Sequence, residues 1–217
     1  MWIPGSYICT ASVPRRRPER EPVNSALIAK RKIFARLSIA AGNTVQAGAI
    51  LAAYFSLRVS QLAHSPLTAI STMLLTWGLL YFSCHAIAHW LVGRVVGIRF
   101  LHYTVGGTAN PEGWPSGLRW IFEHFPFFGV QTEKASMQNA GPKARAVMWA
   151  AGVTSSAVIP TVAVFWAWRS RVPGSRLFFL FAIFWAMGTL ASNWTSHTGD
   201  FSKAKRALGN SSGFSET

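Results

Sequence analysis

Acidic residues are scarce in this chain: seven Asp and Glu stand against 21 Lys and Arg, and Asp200 is the only aspartate. Cysteine is scarcer still, with only Cys9 and Cys84. They lie far apart, and Cys84 falls inside an apolar run, so a disulfide framework is not expected and Cys84 reads as a packed thiol. The apolar runs themselves almost lack charge. A 217-residue chain that is half hydrophobic, holds ten tryptophans and keeps its basic residues beside its apolar runs belongs with membrane proteins. In a soluble protein a net charge of +14 would suggest nucleic acid. Beside membrane spans it sets topology and meets anionic lipid, so the expected partner is the bilayer and not nucleic acid. No internal repeat is visible, and the opening residues are too interrupted for a secretory signal peptide.

Residues 1–32 contain PRRRPEREP and are expected to form a disordered, basic, cytoplasmic tail. A helical span needs roughly 20 apolar residues. Four runs qualify: Leu37–Leu57, Leu67–Gly93, Ala146–Trp168 and Leu177–Thr195. Pro160 inside the third is tolerable in a membrane. Asn43 and Gln46 in the first are expected to make interhelical hydrogen bonds. The expected organisation is an additional N-terminal transmembrane helix in 33–66, a three-helix membrane core in 67–208 and a flexible tail in 209–217. The fold class is therefore mainly α, a polytopic membrane protein with about four transmembrane helices. A small strand-containing cytoplasmic segment lies between helices two and three. With four spans, 17 Lys and Arg fall on the side of the tail, the middle segment and the C-terminus, against 4 on the other. Both termini are then cytoplasmic.

The second run holds His85 and His89 in CHAIAHW. Four residues apart on a helix, they share one face. Hydrolases use this spacing as H-E-x-x-H, with the glutamate as general base. Here Ala86 occupies that position. The expected topology puts both histidines at the cytoplasmic end of their span, and Asp200 lies just past the fourth span at the same end. Two imidazoles and one carboxylate with an open fourth position form a hydrolytic zinc set. Asn193, His197 and Asp200 are spaced by four and three, so a continuing helix would align them. His197 is then a fourth ligand, a donor to Asp200, or simply exposed. Bis-histidine haem suits one helix poorly, since its ligands usually come from facing helices.

The middle segment, 94–145, contains GIRFLHYTVGG, whose alternation predicts a strand over 98–105. LRWIFEHFPFFGV reads as an aromatic stretch lying in the interface or dipping into the membrane as a lid. Glu112, Glu123 and Glu133 are the loop carboxylates that could replace the missing base. Losing a general base typically costs 10²–10⁴-fold in rate.

HAIAHW at 85–90, VGIRFLHYTVGG at 96–107, NAGPKARAVMWAAG at 139–152 and SNWTSHTGDFSKAKRAL at 192–208 occur in an order that resembles the site-2 protease family of intramembrane zinc metalloproteases. The resemblance covers about 67–208. It implies Zn²⁺ held by His85, His89 and Asp200, with Asn193 and His197 nearby. It also implies that a transmembrane protein segment, as substrate or ligand, pairs as a strand along Phe100, His102 and Thr104. The chain departs from the family at several positions. Ala86 replaces the glutamate, Thr195 and Thr198 replace the two prolines, Phe201 replaces the glycine after the aspartate, and Arg145 replaces an asparagine. The expectation is a catalytically silent homologue that binds membrane segments or partners. The alternatives are an active or experimentally inactivated protease, and a structural or haem-binding membrane protein.

Overall fold

The computed structural model describes residues 32–107 and 116–209. The expected tails, Cys9 and Glu112 lie outside these residues. In order, the elements are β1 (Ile33–Leu37), α1 (Ile39–Leu62), α2 (Pro66–Val95), β2 (Phe100–Gly106), α3 (Ser116–His124), β3 (Phe127–Thr132), α4 (Lys134–Asn139), α5 (Pro142–Arg169), α6 (Ser175–Thr195) and α7 (Asp200–Gly209). The chain is thus mainly helical, with one small antiparallel sheet ordered β1-β2-β3.

Three helices are long and apolar enough to cross a membrane: α2, α5 and α6. The fourth expected span is α1. At 24 residues it is long enough, but its composition leaves it outside that set. Asn43, Thr44, Gln46, Ser56, Arg58, Ser60 and Gln61 dilute its hydropathy. The tertiary structure shows where that polarity goes. Gln46, Ser56 and Ser60 are buried, while Leu51, Tyr54, Phe55, Val59 and Leu62 are exposed. Ser56 Oγ donates to Thr72 O at 2.9 Å, and Thr76 Oγ1 donates to Ala53 O at 3.3 Å. These two bonds join α1 to α2, and the large apolar side chains face outward as suits lipid, with Thr44 and Arg58 exposed beside them.

The sheet constrains α1 further. β1 pairs with β2 from Ile33↔Gly106 to Leu37↔Tyr103. Because β2 follows α2, the chain must leave the sheet along α1 and return along α2. The two helices, 24 and 30 residues long, form an antiparallel hairpin. β1 is not among the expected elements: the first apolar run starts at Leu37, and 33–36 is expected only as the lead into it. Five residues with almost uniform exposure carry no period-two signal, and their extended backbone is fixed by a partner strand some 70 residues away.

α2 ends where expected. Gly97 at φ 86 lets the Ile98 N–H reach Gly93 O at 2.8 Å and the Gly97 N–H reach Arg94 O at 3.2 Å. This is a left-handed C-cap that satisfies the last carbonyls and turns the chain into β2. The expected strand starts two residues late as a result, at Phe100, and Ile98 is buried beneath the turn. α5 begins at Pro142 after an extended Gly141 and runs unbroken through buried Pro160. The aromatic stretch LRWIFEHFPFFGV falls into α3 and β3. β3 pairs with β2 from Phe100↔Thr132 to Gly106↔Phe127. Phe125 and Phe127 pack on Phe82 of α2, at ring distances of 4.7 and 5.7 Å.

Asn43 and Gln46 do not bridge helices. Asn43 Oδ1 accepts from Tyr103 Oη of β2 at 2.7 Å, and Gln46 donates to Gly42 O of its own helix at 3.1 Å. Tyr103 is fully buried, and burial pushes its hydroxyl up to about 12. Its ring lies on Gly42, where a Cβ would sit 2.2 Å from Tyr103 Cδ2. Gly42→Ala therefore separates α1 from the sheet. A loss of about 1–3 kcal/mol, seen as a Tm lower by about 5 °C in detergent, is the expected outcome. An unchanged melting curve would mean that this contact does not fasten the two.

Candidate metal centre

α2 and α5 approach closely because a glycine on each makes room for a larger side chain of the other. At Gly152 of α5 a Cβ would lie 2.1 Å from His89 Nε2, and at Gly93 of α2 one would lie 3.1 Å from Met148 Cγ. Ser155 Oγ donates to Cys84 O at 3.0 Å. Small side chains and hydroxyls are the usual means of joining helices where lipid removes the hydrophobic drive. His85 and His89 point into this interface with ring centroids 4.8 Å apart. Cys84 is buried with Ala53 and Leu80.

Asp200 arrives from the other side. The helix expected to carry Asn193, His197 and Asp200 on one stripe is broken. α6 stops at Thr195, Ser196 takes an extended conformation, and Asp200 opens α7. Three residues after Thr195 the chain meets Thr198 and Gly199, where a Cβ would crowd Asn193 O at 2.6 Å. Asn193 bridges the break. Its Oδ1 accepts from the Asp200 N–H at 3.3 Å, and its Nδ2 donates to Thr189 O at 3.1 Å. Ala204 and Ala207 then pack α7 against Ala146 of α5. His197 is exposed on the turn, and its carbonyl accepts from Arg206 at 2.8 Å. Among the described residues, the only grouping of three metal-binding side chains is His85, His89 and Asp200.

Asp200 Oδ2 lies 3.2 Å from His85 Nε2 and 3.2 Å from His89 Nε2. Zinc bonds of about 2.0–2.2 Å imply ligand atoms roughly 3–4 Å apart. The hydrogens decide what this geometry means. His89 Nδ1 is 2.7 Å from Met148 O, which can only accept, so the ring carries its hydrogen on Nδ1. His85 Nδ1 is 3.1 Å from Ser156 Oγ, which is 3.2 Å from Gly152 O. Both contacts are satisfied together only when Ser156 donates to Gly152 O and accepts from His85. Each neutral ring then presents a bare Nε2 lone pair to a carboxylate oxygen. Three acceptors facing one another repel unless a cation lies among them. Two adjacent imidazolium rings could meet the need only against their own repulsion, whereas one metal ion meets it directly.

Asp200 also receives Lys203 Nζ on Oδ1 at 2.9 Å. Burial by itself would raise its pKa, and the positive charge of Lys203 beside it opposes that.

The three side chains lie in a cavity of about 630 Å³ between the helical core and the sheet. Its wall includes β3 from Phe127 to Thr132, together with Trp149, Asn193 and Lys203. Ala86 is fully buried and does not line it. Neither does Glu123 or Glu133. The Glu133 N–H is bonded to Arg99 O at 2.9 Å, at the start of α4. Of the expected pairing residues only Thr104 lines the cavity. β2 is the central strand: Tyr103–Gly106 lie between β1 and β3, so Thr104 is flanked on both sides, while Phe100 and His102 pair with β3 alone.

Sequence reading missed Met148, Gly152, Ser156 and Lys203. The first acts through its backbone carbonyl, which no side chain announces. Lys203 was accessible, being three residues past Asp200 on a helix.

These features define an integral, multi-pass membrane protein with a helical core, a small sheet and a buried His–His–Asp group able to hold a metal ion. No protein-family model, curated protein or solved structure matches this chain.

Gly152→Ala would drive a methyl into His89 and turn the ring. Metal affinity is expected to fall about 10–100-fold, read by competition with a chromophoric chelator. Unchanged affinity would show that His89 does not ligate.

Proposed function

We propose that this chain is a site-2-protease-like membrane protein that holds Zn²⁺ on His85, His89 and Asp200 and binds extended peptide segments without hydrolysing them. The observation that carries this reading is the convergence of three lone-pair donors whose hydrogens are committed elsewhere. Two imidazoles and a carboxylate suit zinc, which here would supply Lewis acidity at an open fourth position.

The reading of silence rests on the cavity wall. Among the described residues, Asp200 is the only carboxylate there, and it is already committed to the two histidines and Lys203. Nothing else among those residues can accept a proton as the missing glutamate would. Peptide hydrolysis without a positioned base loses about 10²–10⁴-fold.

Peptide binding moves from β2 to β3. β3 has β2 on one side only, and its outer edge from Phe128 to Gln131 carries no further strand among the described residues. It also lines the metal cavity. A segment in extended form can add there by main-chain hydrogen bonds.

The topology follows from the hairpin. Pairing of β1 with β2 keeps both ends of the α1–α2 hairpin on one side, so α1 accompanies α2 through the bilayer as a fourth, polar-faced span. The charge asymmetry of 17 against 4 then makes that side, and both termini, cytoplasmic.

Purified protein should hold one zinc per chain, lost in His85→Ala and in Asp200→Asn. Ala86→Glu should leave cleavage of a transmembrane reporter at background, because position 86 is packed in the core. A several-hundred-fold gain of cleavage would overturn the binding role and mark the chain as a disarmed protease.

A further inference from the structure

The cavity has an unusual charge inventory. Among the described residues that line it, the fixed charges are Asp200 and Lys203. A divalent ion, one carboxylate and one ammonium leave the cavity doubly positive. Lys203 is not swinging free in solvent. Its Nζ is anchored 2.9 Å from Asp200 Oδ1 and stands 4.4 Å from the centre of the Trp149 ring. Those two contacts keep the ammonium on the cavity wall, beside the carboxylate that also faces both imidazoles. The hydroxyls of Ser196 and Thr198, 3.3 Å apart, lie on the turn just before Asp200 and also line the cavity.

We propose that the metal held by His85, His89 and Asp200 takes an oxyanion, a carboxylate or phosphate group, at its open position, with Lys203 as the second cationic contact. This rests on the metal assignment above. The physical reason is compensation. Excess positive charge in a partly enclosed cavity is costly, and a neutral water at the fourth position does nothing to reduce it. An oxyanion neutralises it. One oxygen reaches the metal and a second reaches the ammonium in a charge-assisted hydrogen bond, while the hydroxyls of the turn can donate to what remains.

The test uses the full chain in detergent, loaded with Co²⁺, whose visible bands report the ligand field. It is titrated with sodium acetate and, separately, with inorganic phosphate at constant ionic strength. A saturable change with either anion is expected, and the tighter of the two identifies the source as carboxylate or phosphate. Lys203→Met should weaken that binding by about tenfold or more while cobalt stays stoichiometric, and Lys203→Arg should restore it. Bands that ignore both anions would overturn the proposal, as would equal affinity in Lys203→Met. Should Lys203→Met not yield folded protein, the wild-type titration still decides. Failure of Co²⁺ to bind at all is a separate outcome, and it removes the metal assignment together with this ligand.

Discussion

The structure depends on two imidazole Nδ1 atoms being engaged away from the centre. Met148 O takes one and Ser156 takes the other, so each ring, when neutral, turns its Nε2 lone pair toward Asp200. Both acceptors belong to α5. The donors belong to α2, and the carboxylate belongs to α7. Three elements from distant parts of the chain are therefore held in register by one small polar cluster, and each fixes the others. Gly152 makes this possible by leaving room for the His89 ring where any side chain would collide with it.

The surrounding architecture brings the cluster to one end of the helical core. The α1–α2 hairpin returns the chain to the sheet from which it started, and Tyr103 ties that sheet to α1 through Asn43. The Schellman-type cap at Gly97 directs β2 away from α2, and β3 then covers the cavity on its open side. α6 contributes little to the packed interior, with only 6% of its apolar window buried. Its task is to place Asn193, and through Asn193 the first turn of α7.

Much of this was legible in the residues. The three most apolar helices could be bounded to within a few positions, because long uncharged runs flanked by arginine have few other solutions. His85 and His89 were visible from their spacing, and Asp200 from being the only aspartate. What was not legible depends on partners remote in sequence. β1 is extended only because β2 accepts it. Alternation along β2 announces a strand but cannot say that both its edges are occupied. Asp200 was expected on a continuation of α6, and instead a turn reverses the chain so that α7 can pack its alanines on α5.

Composition and spacing by themselves determined a helical membrane chain with a paired-histidine face, because hydropathy and helical period are local properties. Only the tertiary structure decided that α1 buries Gln46, Ser56 and Ser60, that β3 is an outer strand lining the cavity, and that Lys203 stands beside Asp200. Each of these is a relation between elements tens of residues apart. Such relations are set by packing and hydrogen-bond satisfaction across the whole chain, which no single stretch of sequence contains.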